Sequence, residues 1–73
     1  MKFAIIDQIK NGDSFEEIFN TEAEAITKAD YEWSRMTQHD KDRRECYCVA
    51  TVELDEDGCV DYTIGYTPTK EYK

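Results

Sequence analysis

The sequence lacks any long apolar run, and its amino end offers no candidate targeting segment. Only four apolar residues follow Lys2, and Asp7 comes directly after them. Four residues are too few for the hydrophobic core of a signal peptide, and a membrane helix needs about 20. We therefore expect a cytoplasmic protein with no membrane contact, whose three cysteines stay reduced.

Histidine, glycine and proline are scarce, which removes most patterns on which catalysis and metal binding depend. His39 is the single histidine, and the three glycines are isolated, so there is no Gly-rich phosphate loop. Ser14 and Ser34 have no triad context. The cysteines lack the paired Cys-x-x-Cys spacing of zinc sites, and Cys46 and Cys48 are expected to be small core residues. The sequence predicts no enzyme, no metal site and no cofactor.

Positive charge is also scarce, with nine Lys and Arg against 17 Asp and Glu and a net charge of −8. Residues 45–69 hold six carboxylates and no Lys or Arg. This charge would repel phosphate backbones, so we expect no direct binding to nucleic acid. A protein partner, and a basic one in particular, fits the charge better.

The 73 residues are enough for one small domain over residues 1–73. Hydrophobic residues make up 40% of the chain and nine side chains are aromatic, which supplies a core and argues against disorder. A domain of this size is close to the lower limit of independent stability. A homodimer is one way in which it could bury more surface.

The amino-terminal part predicts a β-hairpin closed at an Asn-Gly pair, which tolerates the positive φ of tight turns. A two-residue turn would place Ile5 opposite Ile18. A three-residue loop ending at Gly12 places Phe3 opposite Phe19 instead. We favour the second register because it collects five apolar residues on one face: Phe3, Ile5, Ile9, Phe15 and Phe19. Alternatively, residues 15–19 form a helical turn.

A helix is predicted over residues 22–36. Thr21-Glu22-Ala23-Glu24 has the capping-box pattern, in which the Thr21 hydroxyl accepts from the Glu24 amide. Thr37-Gln38-His39-Asp40 repeats this pattern, so a short second helix or a kinked extension of the first should follow. Apolar residues recur at helical spacing between the two caps: Ile26, Ala29, Trp33 and Met36.

Residues 45–69 predict a second, acidic hairpin around Asp55-Glu56-Asp57-Gly58. With Gly58 in a left-handed bulge position, Leu54 faces Val60. Pro68 would end the last strand and leave residues 67–73 as a loose tail. The same register aligns further apolar pairs on the face that the helix should cover: Val52 with Tyr62, Ala50 with Ile64 and Cys48 with Tyr66.

The expected fold is therefore α+β in the order ββαββ: a four-stranded antiparallel sheet with one main helix on one face. Tyr47 and Val49 would lie on the uncovered face, either in solvent or in a dimer interface. The acidic turn is too tight to wrap a calcium ion. The candidate residues for binding a protein partner are five carboxylates and these two sheet residues: Glu53, Asp55, Glu56, Asp57, Asp61, Tyr47 and Val49.

The helical region carries a further pattern, Tyr31-Glu32-Trp33, then Thr37, Asp40-Lys41 and Arg43-Arg44, preceded by Thr21-Glu22-Ala23-Glu24-Ala25. In this pattern, over residues 3–62, the chain resembles small uncharacterised acidic proteins of intestinal Gram-positive bacteria, often linked to mobile elements. The resemblance implies no known activity. It implies that Trp33 anchors the helix and that Thr37 and Asp40 form the second cap.

These observations predict a non-catalytic protein–protein interaction module that uses the acidic hairpin or an exposed sheet face. The alternative is an acidic mimic of nucleic acid, whose carboxylates imitate phosphates and occupy the groove of a DNA-binding protein. The two hypotheses differ in the partner, which must be strongly basic in the second.

Overall fold

The computed structural model describes residues 1–73 and contains one four-stranded antiparallel sheet with two helices. The strand order is β2-β1-β3-β4, so β2 and β4 are the two edges. This confirms the α+β prediction. Neither helix combines the length and apolarity that a membrane crossing needs. The elements are β1 Lys2–Ile9, β2 Ser14–Phe19, α1 Glu22–Arg35, α2 Gln38–Arg43, β3 Arg44–Val52 and β4 Tyr66–Glu71.

The first hairpin has the predicted register. Phe3 lies opposite Phe19, and the pairing continues to Gln8 opposite Ser14. Asn11 takes the positive φ of the turn, at 57°. The register with a three-residue loop is thus confirmed, and residues 15–19 are strand.

Both predicted N-caps form, but only the second is a full capping box, because the Glu24 carboxylate accepts from the Thr21 hydroxyl and not from the Thr21 amide. The Thr21 side chain accepts from the Glu24 amide at the start of α1. At α2, the Thr37 side chain accepts from the Asp40 amide while the Asp40 carboxylate accepts from the Thr37 amide, a complete capping box. Hydrogen bonds to the Asp40 carboxylate, first from the Thr37 hydroxyl and then from the Thr37 amide, hold the Asp40 pKa below its usual value. The second cap therefore begins a separate short helix.

Helix α1 packs on the face of the sheet that carries Ile5, Tyr47 and Val49. Ala25 and Ala29 are fully buried, because small side chains let the helix approach the sheet closely. Tyr47 is 4% exposed and Val49 is 0% exposed. The prediction that these two residues lie on an uncovered face is wrong. Strand β3 is apolar on both sides. The sequence pattern placed the helix on the face of Cys48 and Ala50, whereas it covers the face of Tyr47 and Val49.

The second hairpin keeps only the start of its predicted register. Leu54 does pair with Val60, but Val52 pairs with Tyr66 rather than with Tyr62. A turn interrupts the ladder between these pairs, where the amides of residues 64 and 65 donate to the Asp61 carbonyl. Gly65 supplies the positive φ of 87° with which the chain leaves this turn. The apolar pairs predicted beyond Leu54 do not form.

Residues 53–65 form an excursion between β3 and β4, and this excursion covers the face of the sheet opposite α1. Val60 is buried there, with Leu54 and Tyr66 packed beside it. Both faces of the central strands β1 and β3 are therefore covered, which is why β3 is apolar on both sides. The second-face core consists of Ala4, Ile6, Cys48, Ala50, Val52 and Val60.

The predicted loose tail is an edge strand. Most of residues 67–73 belong to β4, which pairs antiparallel with β3, and the Tyr72 amide donates to the Tyr47 carbonyl at 2.9 Å. Pro68 lies opposite Ala50. A proline is tolerated because an edge strand needs hydrogen bonds on one side only. Its presence therefore did not end the strand.

Candidate functional site

Two of the five acidic candidate residues shape the excursion itself. One Asp55 carboxylate oxygen accepts from the Asp57 amide at 2.9 Å and the Cys59 amide at 3.0 Å. Asp61 accepts from both the amide and the hydroxyl of Thr63. These bonds, led by that of the Thr63 side chain, hold the Asp61 pKa below its usual value. Both carboxylates fix turns, as Asx-type side chains commonly do.

The other three acidic candidates, Glu53, Glu56 and Asp57, are exposed and have no basic partner. The three ion pairs of the chain all lie outside the excursion. Tyr62 and Ile64 are 54% and 67% exposed in the turn that follows. The excursion thus presents uncompensated negative charge together with apolar surface.

The structure does not bring Tyr47 and Val49 to this acidic surface. Tyr47 belongs to an aromatic cluster under α1, with its ring 5.3 Å from Trp33 and 5.5 Å from Tyr72. Burial, followed by the charge of Asp7, raises the pKa of Tyr47 to about 12. Both residues are core residues and neither lies at the acidic surface.

Sequence reasoning missed a groove between β2 and α1, with a volume of about 480 Å³. Ile5 and Tyr47 form part of its floor. Phe15 and Glu17 line it from β2, and Lys28 and Glu32 line it from α1. Adjacent glutamates at positions 16 and 17 were the available signal, because they break the alternation expected of a strand with one buried face.

An ion pair lies at the floor of this groove. Arg44 Nε is 2.9 Å from Asp7 Oδ1, both atoms are inaccessible to solvent, and neither has another partner. Burial raises the Asp7 pKa, and the neighbouring Arg44 charge only partly offsets this effect. The contact is best described as an ion pair, since its alignment is poor for a hydrogen bond.

Arg44→Met is expected to lower the free energy of unfolding by about 2 kcal/mol at neutral pH, because it leaves the Asp7 carboxylate unpaired. Both side chains keep about a fifth of their surface exposed, so this cost is below that of a fully buried pair. The raised pKa means that folded protein takes up the Asp7 proton before unfolded protein does. The penalty should therefore shrink as the pH falls from neutrality through the Asp7 pKa.

Urea unfolding of wild type and Arg44→Met over a pH series measures this effect. The double variant Asp7→Asn/Arg44→Met is the control, since it has no carboxylate to titrate and should lose the pH-dependent part of the penalty. A penalty that stays constant across the pH series would show that Arg44 acts through packing and not through Asp7.

An apolar surface continues from the groove across α1. It is shallow and is formed by Phe19, Ala23, Thr27 and Tyr31, with Glu24 and Lys28 also lining it. Tyr31 is 55% exposed, and Phe15 at the groove wall is 56% exposed. The groove and this surface meet at Lys28, so together they follow the β2 edge.

The cysteines do not converge on a metal site. Cys46 and Cys48 have their sulfurs 3.8 Å apart, whereas Cys59 is exposed on the excursion. Burial, then the adjacent Cys46, raises the pKa of Cys48 to about 12. No group of three or more His, Cys, Asp and Glu side chains is placed to hold a metal ion.

Comparison with family models, curated proteins and solved structures finds no match for this chain. The resemblance to small acidic bacterial proteins therefore stays a prediction.

Proposed function

We propose that the protein is a non-catalytic protein-binding module that docks on a basic protein surface through its acidic excursion. The supporting observation is that Glu53, Glu56 and Asp57 are exposed without a cation of the chain to compensate them. Lys and Arg side chains of a partner would supply that compensation. The sheet-face alternative is not used here, because Tyr47 and Val49 are buried and both faces of the central strands are covered.

The exposed Tyr62 and Ile64 give this surface an apolar contact beside its charges. Binding energy at protein interfaces is concentrated in a few well-packed side chains, and Tyr is enriched among them. Charged groups at the margin act mainly on association rate and on the choice of partner. We therefore assign partner selection to the carboxylates and most of the affinity to Tyr62 and Ile64.

The triple reversal Glu53→Lys/Glu56→Lys/Asp57→Lys is expected to abolish capture of the partner from host lysate. Each of the three side chains is exposed and none supports a turn, so the fold should survive. Asp55 and Asp61 are left unchanged because they cap turns. Capture on immobilised protein, with nuclease treatment and a salt series, measures the effect.

The control is Asp13→Lys/Glu45→Lys/Glu71→Lys, which changes the net charge by the same amount at exposed positions outside the excursion. It should retain capture. Equal loss in both triple variants would mean that only net charge matters. Capture that survives high salt and the excursion reversal would remove the excursion from the binding surface.

The same capture experiment tests the nucleic-acid mimic. In that case the recovered protein handles DNA, and added duplex DNA competes for it at low salt. If added DNA does not displace the partner, the result supports a protein-binding module that does not mimic nucleic acid.

A further inference from the structure

The two edges of the sheet differ in how they are protected. On β4, Pro68 and Lys70 have the residue types that proteins use to prevent further strand pairing. Strand β2 has no Pro and no Lys, and only Phe19 of its six residues is not exposed. An extended strand could therefore add to β2 but not readily to β4.

The backbone of β2 is oriented for such an addition. The Ile9 amide donates to the Asp13 carbonyl, which makes these two a hydrogen-bonded pair at the start of the hairpin. Hydrogen-bonded and non-hydrogen-bonded pairs alternate along an antiparallel ladder. Counting from that pair, Ser14, Glu16 and Ile18 direct their amides and carbonyls away from β1.

The side of this edge next to α1 is mainly apolar, with Glu17 between Phe15 and Phe19 as its charged residue. Phe15 is 56% exposed there, and the surface made by Phe19, Ala23 and Tyr31 continues from it. A strand paired with β2 would place alternate side chains over this surface. Those side chains should be apolar.

The charge along the edge decides between a second copy and a different partner. Lys28 pairs with Glu32 and Arg44 with Asp7, and neither Glu17 on the α1 side of β2 nor Glu16 on its other side has an ion-pair partner. Full-length antiparallel pairing of β2 with β2 of another copy would bring these glutamates opposite one another. Like charges placed directly opposite are destabilising, whereas Lys or Arg there would stabilise the pair.

We propose that β2 takes up an extended, basic segment of another protein as a fifth strand of the sheet. The segment alternates apolar residues, which lie over the surface beside α1, with Lys or Arg residues that face Glu16. Main-chain hydrogen bonds to residues 14, 16 and 18 hold it, as in other cases of strand addition. This surface is separate from the acidic excursion, so the proposal stands if the excursion binds nothing.

The probe is a short soluble peptide of alternating lysine and valine, added to the full chain and followed by amide hydrogen exchange. Exchange at the Glu16 and Ile18 amides should slow on binding, because these amides acquire carbonyl partners. The same peptide with glutamate in place of lysine should not bind. Slowed exchange confined to residues 53–65 would overturn the proposal. So would the absence of any binding by the lysine peptide up to its limit of solubility.

Two substitutions at one position separate backbone from charge. Glu16→Gln should weaken the lysine peptide up to about fivefold and reduce its salt dependence. Glu16→Pro should abolish binding, because it also removes an outward amide that β1 does not use. Circular dichroism confirms that each variant is folded. If the Pro variant is folded and binds as tightly as the Gln variant, strand addition at β2 is excluded.

The oligomeric state tests the competing occupant. Sedimentation of the wild type should show no dimer that forms through β2. If instead the wild type dimerises, Glu16→Pro makes it monomeric, and the lysine peptide does not compete, then a second copy occupies β2 and the proposal fails.

Discussion

Deletion of residues 66–73 is expected to abolish the cooperative unfolding transition. The deletion removes all of β4 and so leaves the outer edge of β3 unpaired. It also removes Tyr72 from the cluster with Trp33 and Tyr47, and it removes Tyr66, which packs against the second-face core. A domain of this size has a free energy of unfolding of only about 5 kcal/mol. The stabilisation lost with two half-buried tyrosines and a paired strand is larger than that.

Urea unfolding followed by circular dichroism and the dispersion of amide NMR signals measure this loss. Removal of Lys73 alone is the control, since that residue lies outside β4, and it should change little. If the chain without residues 66–73 keeps a cooperative transition at the wild-type urea midpoint, then β4 is the loose tail that the sequence predicts.

Trp33→Ala is expected to lower the free energy of unfolding by about 3 kcal/mol. Trp33 stacks on Tyr47 at 5.3 Å, packs against Tyr72 at 5.7 Å, and lies under the Lys41 ammonium at 5.1 Å. The residue thus joins α1, β3 and the segment that follows β4, so its truncation leaves a cavity between three parts of the fold. For a domain of this length, the melting temperature should fall by at least about 12 °C.

The matched control is Tyr31→Ala on the same helix. Tyr31 is 55% exposed and contacts mainly Arg35, so we expect a loss below about 1 kcal/mol. Far-UV circular dichroism should be used for all variants, because Trp33 is the single tryptophan. Equal losses at the two positions would show that the aromatic cluster does not hold the helix to the sheet.

Local patterns in the sequence predicted the features that depend on neighbouring residues. Thr21 and Thr37 each cap a helix as expected, because a capping hydrogen bond spans only three residues. The first hairpin register followed from one short loop and the pairing of Phe3 with Phe19. The Leu54–Val60 bridge was correct for the same reason, since it lies next to its turn.

Longer-range pairing could not be predicted in this way. The apolar alternation of β3 fits either face, so it did not decide whether α1 covers Tyr47 or Cys48. Asp61 and Gly65 form a turn that shifts the return strand, and no periodic pattern reveals such an interruption. Pro68 was interpreted as a strand end because the sequence does not show that β4 is an edge.

The candidate binding surfaces were likewise only partly predictable from local sequence. The sequence alone determined the α+β class, the two caps, the first hairpin and the concentration of negative charge in residues 45–69. Only the tertiary structure decided that Asp55 and Asp61 serve turns, that Tyr47 and Val49 are core, and that β2 is an exposed edge beside an apolar groove. The physical reason is that charge and caps are local properties, whereas burial and edge position depend on which distant segments cover each face of the sheet.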